Sequence, residues 1–293
     1  MELAILENDI SIKETIRTAR SLYQQWHYLY GVISLLEEQT KNSNLIKSIS
    51  NKLYDAGEIG GLENDLTVLQ SLGTQSKKST IYKNFTQIEN KLKELLQIKT
   101  AIVPETKFLI KKIVSLQDNQ KDSLSVAFLT TLAKRKKVAE KNILVAKSSY
   151  FPEITAGIIN RKTGNSTDYT GFNIGLNIPL SFWSNNAKIK QQKIISEEIA
   201  FENEANKVAI QNNFKSLQEQ IKYLKTELVP IDRMKIKAKK FIKKLKLAYT
   251  AGEIDAYQYN QSFNIYFQVM QNYLLLINNY NQTVISYEFY TQK

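Results

Sequence analysis

Phe172-Asn173-Ile174-Gly175-Leu176-Asn177-Ile178-Pro179-Leu180-Ser181-Phe182 places a large apolar residue at every even position and Asn, Gly, Pro or Ser at every odd one. Only an extended strand, with its two-residue side-chain period, puts those sets on opposite faces. One other strand candidate, Ile154 to Ile159, is present, and a single hairpin is marginal in water. The alternation instead suits a transmembrane β-strand, which needs about 9–11 residues with one face to lipid and one to a wet lumen. Phe172, Ile174, Leu176, Ile178 and Leu180 are therefore expected to face lipid, and Asn173, Gly175 and Asn177 a lumen. The polar stretch Lys162-Thr163-Gly164-Asn165-Ser166-Thr167-Asp168 reads as the loop between the strands. Phe151 and Phe182-Trp183 fall together at the opposite end, where an aromatic girdle belongs.

Outside this hairpin the period is helical and the chain repeats itself. Tyr54-Asp55-Ala56-Gly57-Glu58-Ile59 returns 195 positions later as Tyr249-Thr250-Ala251-Gly252-Glu253-Ile254, with five of six residues identical. Leu45, Ile46, Ile49 and Leu53 precede the first copy, and Ile236, Phe241, Leu245 and Ala248 the second, at helical spacing. A glycine inside such a pattern costs about 1 kcal/mol relative to alanine, so two at one offset point to a break, bend or close backbone approach shared by equivalent helices. The competing reading is a pair of unrelated helix C-caps. Pro230, in Leu228-Val229-Pro230, lies opposite Leu35-Leu36 at the same offset. Because proline disfavours helical geometry before it and opens new helices, a tight apex is expected there in each repeat. Between the repeats, residues 120–149 read as a helix with Leu124, Phe128, Leu132, Val138, Ile143 and Ala146 as buried candidates, carrying the basic run Lys134-Arg135-Lys136-Lys137.

Composition agrees with a mainly α chain: ten Gly and four Pro in 293 residues are few. With no cysteine, disulfides, thiolate metal sites and thiol nucleophiles are excluded. The lone histidine, His27, lies among Tyr23, Trp26, Tyr28 and Tyr30 and reads as a packed helix-face residue. No carboxylate pair, phosphate loop or metal-ligand set emerges, so no enzyme, cofactor or metal is expected. The first residues lack the basic and apolar regions of a secretory signal. A net charge of +12 suits anionic lipid, nucleic acid or an acidic protein without choosing among them.

Several stretches together resemble the TolC-like outer-membrane efflux proteins, including their metal-efflux, CzcC- or CusC-like branch. These are the two Tyr-x-Ala-Gly-Glu-Ile segments, Ala146-Lys147-Ser148-Ser149-Tyr150-Phe151-Pro152-Glu153-Ile154, Ile178-Pro179-Leu180 and Leu228-Val229-Pro230. The resemblance implies a mainly α fold of long antiparallel helical hairpins in two repeats, an α-barrel protomer with an inserted transmembrane β-hairpin. It implies a homotrimer in the outer membrane of a Gram-negative bacterium, with a periplasmic extension whose apex meets an adaptor protein and, through it, an inner-membrane pump of the RND type. Each protomer of that pattern gives four strands to a shared barrel, and a signal and a first strand pair precede the first helical hairpin. Since Met1 already falls in the first repeat's helix, the sequence is expected to be an N-terminally truncated piece or part of a fusion, with half the expected strands.

The expected organisation is a first helical hairpin at 1–100, a connector and helix at 101–149, the β-hairpin at 150–183 and a second helical hairpin at 184–293. Adaptor contact is assigned to the apices, Leu35, Leu36, Leu228, Val229 and Pro230. Polar links that close the helices near the apex, as the resemblance implies, are assigned to Glu37, Glu38, Asp232 and Arg233. Tyr54, Gly57, Tyr249 and Gly252 carry the repeat motif. The expected function is a passive exit duct, with no nucleic-acid partner. A soluble basic coiled-coil scaffold or nucleic-acid-binding protein is the alternative, which explains the charge and leaves the alternating strand unexplained.

Overall fold

Helices far longer than the usual 11–12 residues dominate the chain. The computed structural model describes residues 1–106, 109, 111–112, 126–163, 166–178 and 182–291. In order these form α1 (Glu2–Asp55), α2 (Gly61–Leu96), α3 (Val126–Ser148), β1 (Glu153–Thr163), β2 (Ser166–Asn177), α4 (Phe182–Thr250) and α5 (Ala256–Thr291). α1 has 54 residues and α4 has 69. No described helix is long and apolar enough to cross a membrane. The chain divides into two compact units, one of Met1–Ile10 with Ser125–Asn212, the other of Ser11–Leu124 with Asn213–Gln292.

The second unit owes its stability to α5. Tyr259, Phe263, Tyr266, Phe267, Met270, Leu274, Ile277 and Val284 are buried against Leu35, Leu36 and Ile46 of α1 and Ile221, Leu228, Ile242 and Leu245 of α4. Each such side chain contributes about 1.5–3 kcal/mol on burial. α1 and α2 are joined by polar ties as well: Ser50 to Asn64 at 3.0 Å, Ser71 to Asn44 at 3.0 Å, and the stacking of Trp26 on Phe85 at 5.9 Å. The segment after α2 is anchored to the same body. His27 is buried and its Nε2–H donates to the Thr106 carbonyl at 2.6 Å, while the Lys112 backbone N–H donates to Asn281 Oδ1 at 2.9 Å.

In the first unit α3 lies along the first part of α4. Asn203 donates to the Leu132 carbonyl at 2.9 Å and buried Asn185 to the Ser149 carbonyl at 3.0 Å. The basic run is partly paired, Arg135 with Glu7 at 2.8 Å and Lys134 with Glu2. That hydrogen bond from Lys134 holds the Glu2 carboxyl below its ordinary range. Phe128 is buried as expected, Val138 is exposed, and the buried neighbour is Ala139. The helical phase of α3 places Ala139, eleven residues after Phe128, on the same face. Leu124 lies outside the described residues.

Two sequence expectations are corrected. α1 and α4 run without interruption through Leu35 and Pro230, so the apices are not there. A proline inside a helix costs about 3 kcal/mol, and burial of Ile221, Leu228, Ile242 and Leu245 on the same helix outweighs it. The chain turns instead at 56–60 and 251–255, on the repeated motif. The second correction concerns β2, which starts six residues before Phe172 and ends at Asn177. Most of the stretch read as a loop is strand, since Thr and Tyr favour extended backbone, and Thr163 pairs directly with Ser166. Ile178 lies beyond the strand and Leu180 outside the described residues.

Candidate functional site

β1 and β2 pair antiparallel, and the register decides which side chains share a face. Ile154 is opposite Leu176, Ala156 opposite Ile174 and Ile158 opposite Phe172, giving one continuous apolar face. On the other face Glu153 pairs with Asn177, Thr155 with Gly175 and Gly157 with Asn173. A β-carbon on Gly157 would stand 2.5 Å from Asn173 Oδ1, and one on Gly175 would stand 2.7 Å from Thr155 Oγ1, so this face is packed across the strands by its own polar side chains. Among the described residues nothing covers the apolar face: Phe172 is 81% exposed and Ile174 83%. Phe151 and Trp183, flanking the hairpin, are exposed too.

The two turns are built alike. Gly57 and Gly252 take left-handed φ of 74° and 72°. Glu58 N–H bonds the Leu53 carbonyl and Gly57 N–H the Tyr54 carbonyl; Glu253 bonds Ala248 and Gly252 bonds Tyr249 in the same pattern. This is a left-handed helix C-cap, which satisfies carbonyls that the helix leaves free. Both glycines have open space where a β-carbon would go, so backbone conformation and not close approach fixes their identity. The motif tyrosines close each turn: Tyr249 stacks on Tyr259 at 4.6 Å, and the Tyr54 ring lies 3.6 Å from the β-carbon position of Gly61. α5 then starts on Asp255, whose Oδ1 accepts from the Gln258 N–H at 2.7 Å.

The residues assigned to the apices lie elsewhere. Leu35, Leu36 and Leu228 are buried in the core of the second unit, whereas Val229 and Pro230 are exposed on α4. Glu37 accepts from the Tyr82 hydroxyl at 2.8 Å, and burial, then this bond, push that hydroxyl above its ordinary pKa. Glu38 stands 4.0 Å from Lys246. Asp232 is half-buried and Arg233 exposed, both within α4.

Tyrosine recurs at every seventh position of α5, at Tyr259, Tyr266, Tyr273, Tyr280 and Tyr287, a sequence pattern separate from the repeat motif. All five are buried. Tyr287 stacks with Phe214 of α4 at 5.4 Å and Lys235 Nζ lies 3.7 Å above the Tyr273 ring, so the repeat marks the α4–α5 seam.

No family model matches the sequence, and no curated protein does. Solved structures match the backbone. The outer-membrane channel OprN aligns with 99% of this chain and 68% of its own at a TM-score of 0.76 and 12% identity. The Campylobacter jejuni CmeC outer membrane channel aligns with 99% of this chain and 64% of its own, at 0.73 and 11%. CusC, known for conformational changes accompanying folding and transmembrane channel formation, aligns with 98% and 70%, at 0.72 and 16%. The chain has the fold of these channels. It spans about two thirds of their length, and at such identities the likeness is one of backbone, not of side-chain chemistry.

Proposed function

We propose that this chain is the duct-forming part of an outer-membrane efflux channel, TolC-like in build, a passive conduit that acts as a homotrimer. The observation that carries the reading is the uncovered apolar face of the hairpin, Ile154, Ile158, Phe172, Ile174 and Leu176. A two-stranded sheet with one greasy face and two open edges is not stable in water. Lipid against that face, and strands of other copies against its edges, satisfy both needs. The polar face, with Asn173, Gly175 and Asn177, then borders a lumen.

Association of copies is supported by a second pattern. α4 exposes Ile194, Phe201 and Val208, then Val229 and Ile236, at seven-residue spacing, and α2 exposes Leu62, Leu69 and Leu72. Apolar stripes of this period are seams for neighbouring helices. The periplasmic adaptor, reached in turn by an inner-membrane pump of RND type, belongs at the helical hairpin ends. Those ends carry the paired turns at 56–60 and 251–255, so adaptor contact is reassigned to Glu58, Ile59, Glu253 and Ile254. A closable link near Glu37, Glu38, Asp232 and Arg233 remains part of the proposal. Membership of the metal-efflux branch, which the sequence stretches above resemble, is part of it too.

The test is reconstitution of the full-length protein into planar bilayers, with subunit number measured by native mass spectrometry. Stepwise ion currents from a trimer are expected. A monomer that gives no current under any voltage sinks the proposal.

A further inference from the structure

α5 is nearly free of charge. In a chain that is 23% charged, its 36 residues hold one charged group, Glu288, and that one is paired with Arg20. The residues of α5 that reach water between the turn and residue 279 form a single line at alternating steps of three and four: Gln258, Gln261, Gln268, Asn272 and Asn279, interrupted by Ile265 and Leu275. That spacing traces one straight stripe along a supercoiled helix. Charged groups of neighbouring segments border it, among them Lys235, whose Nζ lies 3.7 Å above the ring of Tyr273 beside Asn272. Lys77 of α2 donates to Gln271 at 3.0 Å, and Glu227 of α4 lines a groove of about 320 Å³ with Asn272 and Asn279.

The stripe's chemistry limits what it faces. Five carboxamides packed against another helix lose their water, at a cost of about 1–3 kcal/mol for each group left unpaired. An interface seam is therefore disfavoured here, and the apolar stripes of α2 and α4 suit that role better. Bulk solvent is met by lysine faces, as on α4, where Lys237, Lys240 and Lys244 are exposed. An uncharged, hydrated stripe that is neither a seam nor a lysine face fits the inside of a water-filled passage. Fixed charges in such a passage concentrate one sign of ion; carboxamides present donors and acceptors equally and concentrate neither.

We infer that the amide stripe of α5 is the inner wall of the duct and leaves passage along it indifferent to the sign of the cargo's charge. The inference rests on the duct reading. The chain has no cysteine, so a single introduced thiol reports its own position. Gln268→Cys, with Asn272→Cys as an independent second position, is reconstituted as the full-length protein and treated with cationic and anionic methanethiosulfonates during current recording. Both reagents are expected to react, shifting the reversal potential toward anion preference in the first case and cation preference in the second. Lys240→Cys, modified in the same way, is expected to leave it unchanged. Conducting channels in which neither α5 thiol reacts, or in which both react without a shift, overturn the inference and leave the duct reading intact; so does a shift confined to Lys240→Cys. Absence of current in the unmodified protein overturns the duct reading and the inference with it.

Discussion

Gly57 and Gly252 stand 195 residues apart in the sequence and hold the same left-handed backbone, φ 74° and 72°, each donating its N–H to the carbonyl of a motif tyrosine. An L-residue with a β-carbon pays about 1–2 kcal/mol in this conformation even with open space around it. Gly57→Ala and Gly252→Ala are therefore expected to destabilise by about 1 kcal/mol each, and the Asn variants by less, because Asn tolerates the left-handed region. Gly→Pro at either site costs more, since it also deletes the N–H that closes the turn. Urea unfolding of the six single variants gives the order; equal loss in Ala and Asn refutes the conformational explanation.

Lys235 and Tyr273 make a test of the α4–α5 seam that is independent of the turns. The ammonium lies 3.7 Å above the ring centroid, close enough for a cation–π contact worth about 0.5–1 kcal/mol. A double-mutant cycle with Lys235→Met and Tyr273→Leu is expected to return a coupling of that size. Additive losses rule the contact out as a stabilising one.

Burial raises the hydroxyl pKa of Tyr28, Tyr259, Tyr266 and Tyr280 above the ordinary 10.0. A raised value in the folded state means that the neutral phenol is the stabilised form. Stability from these groups is fully present below pH 10 and is lost as pH climbs through the unfolded value toward the folded ones. Chemical denaturation across the alkaline range is expected to show a flat plateau followed by a fall, with the last part of the tyrosinate absorbance, that of the buried phenols, appearing only as the helices melt. Complete ionisation of the tyrosines before any loss of helicity contradicts this account.

The repeat motif and the strand alternation are legible in the sequence because each is set by local rules: a left-handed C-cap needs glycine, and a pleated ribbon needs period two. The apices are not. Leu35 and Leu36 look alike at a turn or inside a helix, and the local aversion of Val229 to helical geometry before Pro230 is overridden by Ile221, Leu228, Ile242 and Leu245 packing on other helices. The start of β2 is a subtler case. Gly164-Asn165 between Thr163 and Ser166 carries the signature of a two-residue hairpin connection, yet the polar run from Lys162 to Asp168 masks it. The tyrosine heptad of α5 is visible in the sequence, but only packing reveals that α4 is its partner.

The hairpin's two faces give the sharpest contrast, because their residues are neighbours in the chain. Ile174 and Asn173 are adjacent, and the register sends them to opposite sides. If the apolar side meets lipid, Ile174→Arg costs about 2–4 kcal/mol at mid-membrane depth, whereas Asn173→Arg, on the lumen side, costs little. Membrane-inserted fraction in outer-membrane preparations is expected to fall for Ile174→Arg and Phe172→Arg and to stay near wild type for Asn173→Arg. Gly157→Val adds a side chain where Asn173 Oδ1 stands 2.5 Å from the β-carbon position; because that oxygen is the far end of a rotatable amide, Asn173 is expected to turn aside and insertion to stay near wild type. Equal loss for arginine on either face means that the hairpin is enclosed by protein on both sides, and the lipid-facing assignment of Phe172, Ile174 and Leu176 then fails.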